Sequence, residues 1–395
     1  MTGVQTCALP IFEHKIRYCS LPEVIRDHFL WGSRVHVLAG THGKTTTTSI
    51  TGWLLTYGKL DPTVLVGGIA LNFGNQGSSY RLGAGRDVVL EGDEYDSAFF
   101  DKTAKFLKYL PDVAVINNIE FDHADIYADI DAVRLAFRRL VNLVPRNGLL
   151  LLGEDSPDAA ALRALAVSPV ETFGTGEGAT WQAYDIDHAD GATRFKVRRR
   201  GEVFGQFESP LLGVHNVRNS LAAIAVGNYR GIVATELADG LRGFKGNKRR
   251  LETVGIRRGV TVIDDFAHHP TAVQETLNAL RTGYPLCRLW AVFEPRSASS
   301  CRRVFQDAFA RAFSAADEVV IAAVFRSSLP DPERLSAERL VDDLRRQGQH
   351  ARHIPEVDEI VRTIVREHRP GDIVVLMSNG GFGGIHRKLL QALAA

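Results

Sequence analysis

Cysteine is scarce in this chain of 395 residues, which has only four, and no two of them are spaced as a CxxC pair. These residues (Cys7, Cys19, Cys287 and Cys301) suggest neither a disulfide framework nor a zinc site, and such usage fits a reducing cytoplasm. No apolar run approaches the roughly 18 residues needed to cross a bilayer. No basic segment followed by an apolar one marks a secretory signal. The sequence therefore predicts a cytoplasmic protein that does not act at a membrane.

A charge excess of either sign is also lacking. Lys and Arg together number 47 and Asp and Glu number 46, so the net charge is +1. This near-zero net charge gives no overall positive potential that would favour nucleic acid. The sequence also lacks the basic segment with interleaved aromatic residues that a nucleic-acid-dependent motor would need. Hydrophobic residues make up 45% of the chain, which is ordinary for a globular protein, and the length suits two or three domains.

The most informative stretch is residues 35–50, VHVLAGTHGKTTTTSI. An apolar run that predicts a buried strand leads into a glycine loop, then Lys-Thr and a helix start, which is the context of a phosphate loop. The general motif places a glycine where Leu38 stands, so this is a variant form. Lys44 is expected to reach the β- and γ-phosphates of ATP, and the Thr45 hydroxyl to hold Mg²⁺. A glycine-rich turn with a chance Lys-Thr pair is the alternative.

Apolar runs alternate with helical patterns along the rest of the chain. This alternation predicts an α/β fold with a mostly parallel sheet in a central P-loop domain, followed by a smaller Rossmann-like α/β C-terminal domain. The segment 195–207 predicts an antiparallel hairpin at the domain edge. We expect residues 1–32 to be an N-terminal remnant with a linker helix, 33–246 the central domain and 247–395 the C-terminal domain. Residues 1–12 lack periodicity and are left out of the fold prediction.

Polar groups follow several of the predicted strands, where ligands of open α/β sheets bind. Each group also has a plainer interpretation. For Glu91 the alternative to a Mg²⁺ site is a solvated acidic loop, and for His123 it is a capping group. For Asn216 it is an ordinary N-cap, and for Arg249 with Arg250 it is a solvated linker. The pair of acids and pair of histidines in 264–269 are not explained by a core role. Glycine-rich 378–384 suits close approach of a ligand to the backbone.

Six motifs occur in one order: GTHGKTTT, ExDExD, NxExDHxD, HNxxN, GxxRR and DD[YF]xHHP. Together they resemble the Mur ligase family, the ATP-dependent amide-forming enzymes of cell-wall precursor synthesis, from about Leu21 to the C-terminus. The resemblance implies ATP and Mg²⁺ as cofactors, small-molecule substrates, no nucleic-acid or membrane partner, and a monomer. It implies catalytic roles for Lys44, His123, Arg250 and His268, and metal ligation by Thr45 and Glu91 at one ion and His123 at a second.

The resemblance also implies the remaining site residues. ATP is expected to contact Gly40, Thr41, His42, Gly43, Lys44, Thr45, Thr46, Asn216, Asn219, Arg250 and Asp265, with the two asparagines at the adenine. The peptide pocket is expected to contain Glu294, Arg296, Ser378, Asn379, Gly380 and Gly381.

Three segments, 94–102, 293–297 and 377–386, look most like the branch of the family that joins the tripeptide L-Ala-γ-D-Glu-meso-diaminopimelate to UDP-N-acetylmuramate in peptidoglycan recycling. The branch that adds L-alanine to UDP-N-acetylmuramate is the alternative, and an ATP-binding module without ligase activity is the second. The family has an N-terminal domain for the UDP moiety. Only a helix precedes the phosphate loop here, so this chain is expected to lack most of that domain.

Overall fold

A computed structural model describes residues 10–189, 191–325 and 329–394. Most of the segment 1–12 that was set aside above lies outside the described residues. Within those ranges, no helix has the length and apolar character that a bilayer crossing requires.

The first structural unit is built on a ten-stranded sheet with strand order β12-β11-β10-β9-β8-β7-β1-β4-β2-β3. Its centre is parallel, because β1 pairs in parallel with both β4 and β7. The strands are β1 (Arg34–Ala39), β2 (Thr63–Ala70), β3 (Ser78–Arg81), β4 (Asp87–Gly92), β7 (Val113–Ile116), β8 (Leu149–Gly153), β9 (Val170–Gly174), β10 (Trp181–Ala189), β11 (Ala192–Arg199) and β12 (Glu202–Ser209). Strands β5 (Asp96–Ala98) and β6 (Asp101–Ala104) form a separate pair.

Helices cover both faces of this sheet. Buried residues of Lys44–Tyr57, Val214–Tyr229 and Ala234–Arg242 share one apolar cluster with the sheet, and Ile130–Val141 lies in the cluster on the other face. Shorter helices are Leu21–Ile25 and Pro157–Ala160. The predicted mostly parallel sheet is therefore confirmed. The hairpin of β11 and β12 lies at the sheet edge as predicted, and β10 extends it by a third antiparallel strand.

The second unit is a six-stranded sheet with order β13-β14-β18-β15-β16-β17. All neighbours pair in parallel except β13 with β14. The strands are β13 (Glu252–Arg257), β14 (Val260–Asp265), β15 (Leu289–Phe293), β16 (Glu318–Ile321), β17 (His350–His353) and β18 (Ile373–Met377), and the helices are Pro270–Gly283, Gln306–Ala312, Ala337–Arg346, Val357–Glu367 and Ile385–Ala394. Apolar clusters lie on both faces, so the predicted smaller α/β unit is confirmed.

The chain passes from one sheet to the other between Arg242 and Glu252. Asn247 still pairs with Ala70 of β2, and the Lys248 amide donates to the Ile69 carbonyl. The predicted limits 1–32, 33–246 and 247–395 stay predictions.

The helical spacing of Leu21, Val24, Ile25, His28 and Phe29 predicts one amphipathic linker helix within residues 13–31, and this prediction is only partly right. A capping box of Ser20 and Glu23 starts an α-helix at Leu21, but it ends at Ile25 and continues as a π-helix from Arg26 to Leu30. A π-turn holds more residues than an α-turn, so the predicted spacing no longer defines one face. Phe29 is consequently exposed, whereas Ile25 and Leu30 are buried.

A buried ion pair ties the strands to a helix at the end of the sheet where β1 and β4 begin. Asp87 is 3% exposed; its Oδ1 lies 2.8 Å from His36 Nε2 and accepts from Arg230 Nε at 2.7 Å. Burial lowers the pKa of His36, so Arg230 supplies the countercharge near neutral pH. Burial alone would raise the pKa of Asp87, but the hydrogen bonds from His36 and Arg230 hold it well below its usual range.

We expect Asp87→Asn to lower the free energy of unfolding by about 3 kcal/mol at pH 7, because it leaves the Arg230 charge without its partner. A depressed folded-state pKa gives stability that is present above the unfolded pKa of about 3.9 and is lost as the pH falls toward the folded value. The difference between wild type and variant should therefore shrink below about pH 4. Urea denaturation across pH measures it. Asp239→Asn, which breaks the exposed pair with Arg242, is the control and should cost under about 1 kcal/mol. Equal losses in both variants would contradict the prediction.

Candidate active site at the phosphate loop and the inter-sheet cleft

The phosphate loop joins β1 to the helix Lys44–Tyr57. Gly40 and Gly43 have φ angles of 133° and 81°, in the region that favours glycine. A Cβ at Gly43 would lie 2.3 Å from Asn219 Oδ1, and one at Gly40 would lie 3.0 Å from Asn117 Cβ. In this structure both glycines are thus required by the packing of the loop against these asparagines.

Backbone and side-chain hydrogen bonds hold the loop in place. The Thr41 amide donates to the Asn118 carbonyl at 3.0 Å, and the His42 amide donates to Asn118 Oδ1 at 2.7 Å. Thr41 Oγ1 accepts from the Glu120 amide at 2.9 Å. The segment after β7 therefore fixes the loop conformation without a ligand. Thr46 lies buried in the first helical turn.

The Lys44 ammonium is held by Glu94. Its Nζ donates to the two carboxylate oxygens of Glu94 at 2.7 and 2.9 Å, and to the Thr41 carbonyl at 3.2 Å. Burial alone would lower the pKa of Lys44, but Glu94 and Asp93 raise it above its ordinary value. Lys44 is thus a cation at neutral pH. A phosphate bound at the loop would have to interact with an ammonium group that already contacts Glu94. The sequence prediction included Glu94 in an acidic segment but gave it no role; its position in that cluster at a strand end was the available signal.

Thr45 and Glu91 form the oxygen-rich part of the site. Thr45 Oγ1 donates to Glu91 Oε1 at 3.0 Å, and Glu91 Oε2 accepts from the Gly67 amide at 2.6 Å. Burial raises the pKa of Glu91. A hydroxyl beside a carboxylate is a donor set that suits Mg²⁺, which prefers oxygen ligands. These two residues fit the predicted ion.

His123 belongs to a different group of side chains. Its Nε2 lies 3.1 Å from Glu94 Oε1, and ligand atoms of Asp93, Glu94 and His123 all lie within 4.8 Å of one another. Burial alone would lower the pKa of His123, but Glu94 raises it. The structure thus separates the Thr45–Glu91 pair from the His123 group, in agreement with two metal positions; the ligand roles themselves stay predictions.

The N-cap interpretation of Asn216 is wrong. Gly213 is the N-cap of the helix Val214–Tyr229, and Asn216 Nδ2 donates backward to the Leu212 carbonyl at 2.8 Å. Asn219 Nδ2 donates to Asn216 Oδ1 at 3.1 Å, and Asn219 Oδ1 accepts from Thr47 Oγ1 at 3.1 Å. The asparagine pair is therefore linked by a hydrogen bond to Thr47, in the helix that follows the phosphate loop. Contact with adenine stays a prediction.

Arg249 and Arg250 are not a solvated linker. Arg249 donates to the carbonyls of Ser378 and Gly380 at 2.6 and 2.7 Å. Arg250 stacks over the Phe266 ring at 4.8 Å, and within the described ranges its guanidinium donates no hydrogen bond. Burial lowers the pKa of Arg250, while Asp265 and Glu91 oppose that shift. Arg250 is therefore a half-buried cation whose guanidinium is attracted electrostatically to Asp265 and Glu91.

Backbone strain surrounds this arginine. Arg249 and Leu251, which flank it, have φ angles of 60° and 50°. Non-glycine residues in this region cost about 1–3 kcal/mol each and cluster at functional sites. The two left-handed residues shape the segment around Arg250.

Asp265 and His268 come from the end of β14. Asp265 Oδ2 accepts from the Leu251 amide at 2.7 Å and Oδ1 from the Ala267 amide at 2.8 Å. Burial raises its pKa. His268 Nδ1 lies 2.9 Å from the Phe266 carbonyl and its Nε2 lies 4.0 Å from Asp122 Oδ2. Both side chains shape the turn next to Arg250, and their nucleotide and catalytic roles stay predictions.

The residues predicted for the peptide pocket meet where β15 and β18 end. Ser378 Oγ donates to Glu294 Oε2 at 2.6 Å. A Cβ at Gly380 would lie 2.1 Å from Arg296 Nε, so glycine is required for this approach. The Arg296 guanidinium lies 3.6 Å from the centre of the Phe325 ring. Asn379 and Gly381 belong to the same loop. The structure thus gathers the whole predicted set, and Arg249 anchors it to the segment that carries Arg250.

Known proteins match both units. Residues 38–227 match the family described as Mur ligase middle domain, and residues 249–380 match the one described as Mur ligase, glutamate ligase domain. A UDP-N-acetylmuramate–L-alanyl-γ-D-glutamyl-meso-2,6-diaminoheptandioate ligase of Haemophilus influenzae is 39% identical over 98% of this chain and 82% of its own. A UDP-N-acetylmuramate–L-alanine ligase of Salinibacter ruber is 38% identical over 91% of this chain and 73% of its own.

A solved structure of a related protein also resembles this chain. The murein peptide ligase of Psychrobacter arcticus is 32% identical, has a TM-score of 0.71, and matches 100% of this chain and 84% of that protein. Sequence, fold and ordered motifs agree across both α/β units, and the chain therefore belongs to the Mur ligase family.

Proposed function

We propose that this chain is an ATP-dependent ligase that joins the tripeptide L-Ala-γ-D-Glu-meso-diaminopimelate to UDP-N-acetylmuramate in peptidoglycan recycling. The observation that carries the proposal is that two adjacent arginines connect the two groups of predicted site residues. Arg250 interacts electrostatically with Glu91, the partner of Thr45, and Arg249 donates to the carbonyls of Ser378 and Gly380. The similarity to named tripeptide ligases supports the choice of substrates.

The chemistry proposed has two steps. An oxygen of the lactyl carboxylate attacks the γ-phosphorus of ATP, the bond to the β–γ bridging oxygen breaks, and ADP leaves with that electron pair. The amino nitrogen of the tripeptide then attacks the acyl carbon, inorganic phosphate leaves, and the nitrogen loses a proton. Both reactants of the first step are anions, so cations that neutralise them are the main requirement.

Different predicted site residues are assigned to charge neutralisation, metal binding and substrate binding. We propose that Lys44 and Arg250 neutralise the phosphates, that Thr45 and Glu91 hold one Mg²⁺ and that His123, grouped with Asp93 and Glu94, holds a second. Bound Mg²⁺ supplies charge neutralisation and orientation of phosphate oxygens. Asn216, Asn219 and Asp265 are proposed to line the nucleotide site, and Glu294, Arg296 and residues 378–381 the peptide pocket. We further propose a cytoplasmic monomer.

The test is phosphate release from ATP and Mg²⁺, with UDP-N-acetylmuramate, the tripeptide and L-alanine added singly and in pairs. We expect release only when UDP-N-acetylmuramate and the tripeptide are both present. Faster release with L-alanine would replace the proposal with the L-alanine ligase. ATP binding without amine-dependent release would leave only a nucleotide-binding module. An identical assay of Asp239→Asn, an exposed helix position that is not among the predicted site residues, controls for handling of the protein.

A further inference from the structure

Three side chains with metal-ligating atoms meet where the two units touch, and no metal role has been assigned to them above. His42 comes from the phosphate loop, Glu120 from the segment after β7, and His269 from the second unit, where it begins the helix Pro270–Gly283. His42 Nε2 lies 3.3 Å from Glu120 Oε2, and His269 Nδ1 lies 3.6 Å from the same oxygen. The three ligand atoms lie within 4.8 Å of one another.

The surrounding hydrogen bonds orient these groups. His269 Nε2 lies 3.1 Å from the Phe121 carbonyl, so its Nε2–H donates there. Nδ1 accepts from the Thr271 amide at 3.4 Å as the N-cap of the helix, and it lies 3.6 Å from Glu120 Oε2. Thr271 Oγ1 donates to Glu120 Oε2 at 2.6 Å. Ligating histidines commonly donate their other N–H to a backbone carbonyl, and ligating carboxylates are themselves hydrogen-bonded.

Two of the three distances between ligand atoms match a tetrahedral zinc ion, and the third, between His42 and His269, is at most 4.8 Å. With Zn–N and Zn–O distances of about 2.0–2.1 Å, neighbouring ligands of a tetrahedral ion lie about 3.3 Å apart. The two ligand distances to Glu120 are 3.3 and 3.6 Å. Two imidazoles with one carboxylate suit Zn²⁺, whereas the Asp93–Glu94–His123 group, with two carboxylates, suits a harder ion.

We propose that His42, Glu120 and His269 form a binding site for Zn²⁺ or a similar imidazole-preferring divalent ion, with a fourth position open to water. His42 and His269 belong to different units, so the bound ion links the phosphate loop to the start of the helix Pro270–Gly283 and holds the cleft in the arrangement described here.

The test is Zn²⁺ titration of the full chain, stripped with a chelator and desalted, against a chromophoric zinc indicator in excess Mg²⁺. We expect one zinc per chain. His42→Gln, Glu120→Gln and His269→Gln should each weaken binding at least about tenfold. His123→Gln, which removes the imidazole of the other cluster, is the matched control and should change binding less than twofold. Circular dichroism without zinc checks that each variant folds.

Hydrogen exchange of the wild-type chain locates the ion without any substitution. Zinc should slow exchange of amides in residues 40–45, 120–122 and 269–272. Protection confined to 93–94 and 123, or loss of zinc binding in His123→Gln alone, would place the ion in the other cluster and overturn the proposal. Zinc binding that none of the four substitutions alters would also overturn it, as adventitious surface binding.

Discussion

Replacing Lys44 by alanine is expected to lower ATP turnover by at least about 10²–10³-fold, the usual cost of removing one charge-stabilising donor from a transition state. The same change is expected to destabilise the fold. Lys44 is the ammonium partner of Glu94, which is only 1% exposed. A buried carboxylate that loses every partner costs about 3–5 kcal/mol, and because His123 still contacts Glu94, the loss should stay below that range. Turnover of ATP and the thermal midpoint measure the two effects.

The double variant Lys44→Ala/Glu94→Gln separates the two effects. Replacing Glu94 by glutamine removes the carboxylate charge that Lys44 no longer neutralises, so much of the stability should return while turnover stays low. Recovery of turnover along with stability would show that Lys44 acts only by holding the fold. Normal turnover in Lys44→Ala would remove the central claim about the phosphate loop.

Arg250→Ala is expected to lower turnover about 10³-fold or more, with little change in stability. An arginine that neutralises a transferring phosphoryl group contributes about 10³–10⁵ in rate. Within the described residues, Arg250 donates no hydrogen bond that the fold would lose; its visible contact is the stack on Phe266, worth about 1 kcal/mol or less. The kcat for ATP turnover and the thermal midpoint are the measurements.

Arg249→Ala is the matched control one position earlier. Arg249 donates two hydrogen bonds to the 378–381 loop, so its loss should lower the thermal midpoint and raise KM for the tripeptide, with a smaller effect on kcat. A reversed pattern, with the larger kcat loss in Arg249→Ala, would sink the assignment of Arg250 to the phosphate site.

Much of the architecture could be predicted because its signals are local. The strand-loop-helix context of residues 35–50, the hairpin of β11 and β12 and the alternation in the last unit are each read within a few neighbouring residues. The linker helix was mispredicted because an α-spacing was assumed where the chain makes a π-turn between Arg26 and Leu30. The N-cap of Asn216 was mispredicted because a glycine three residues earlier begins the helix.

The kinds of residue at the site could be predicted from the sequence, but which of them form pairs with each other could not. The acidic segment after β4 was recognised, yet nothing in the spacing indicates that Glu94 rather than Glu91 pairs with Lys44, 50 positions away in the chain. The same holds for Arg249, whose acceptors lie 129 and 131 positions further on. Such contacts depend on strand order, because crossovers bring the ends of non-consecutive strands together.

The sequence by itself determined the phosphate loop, the two α/β units, their family and the residue types at the cleft, because motif order and hydrophobic period are properties of the chain. Only the tertiary structure decided which charges neutralise each other. It divided the acidic residues between the Thr45–Glu91 pair and the group around His123, and it brought His42, Glu120 and His269 together from both units. Those choices depend on distances across the cleft, which arise when the two sheets pack and bury their polar edges against each other.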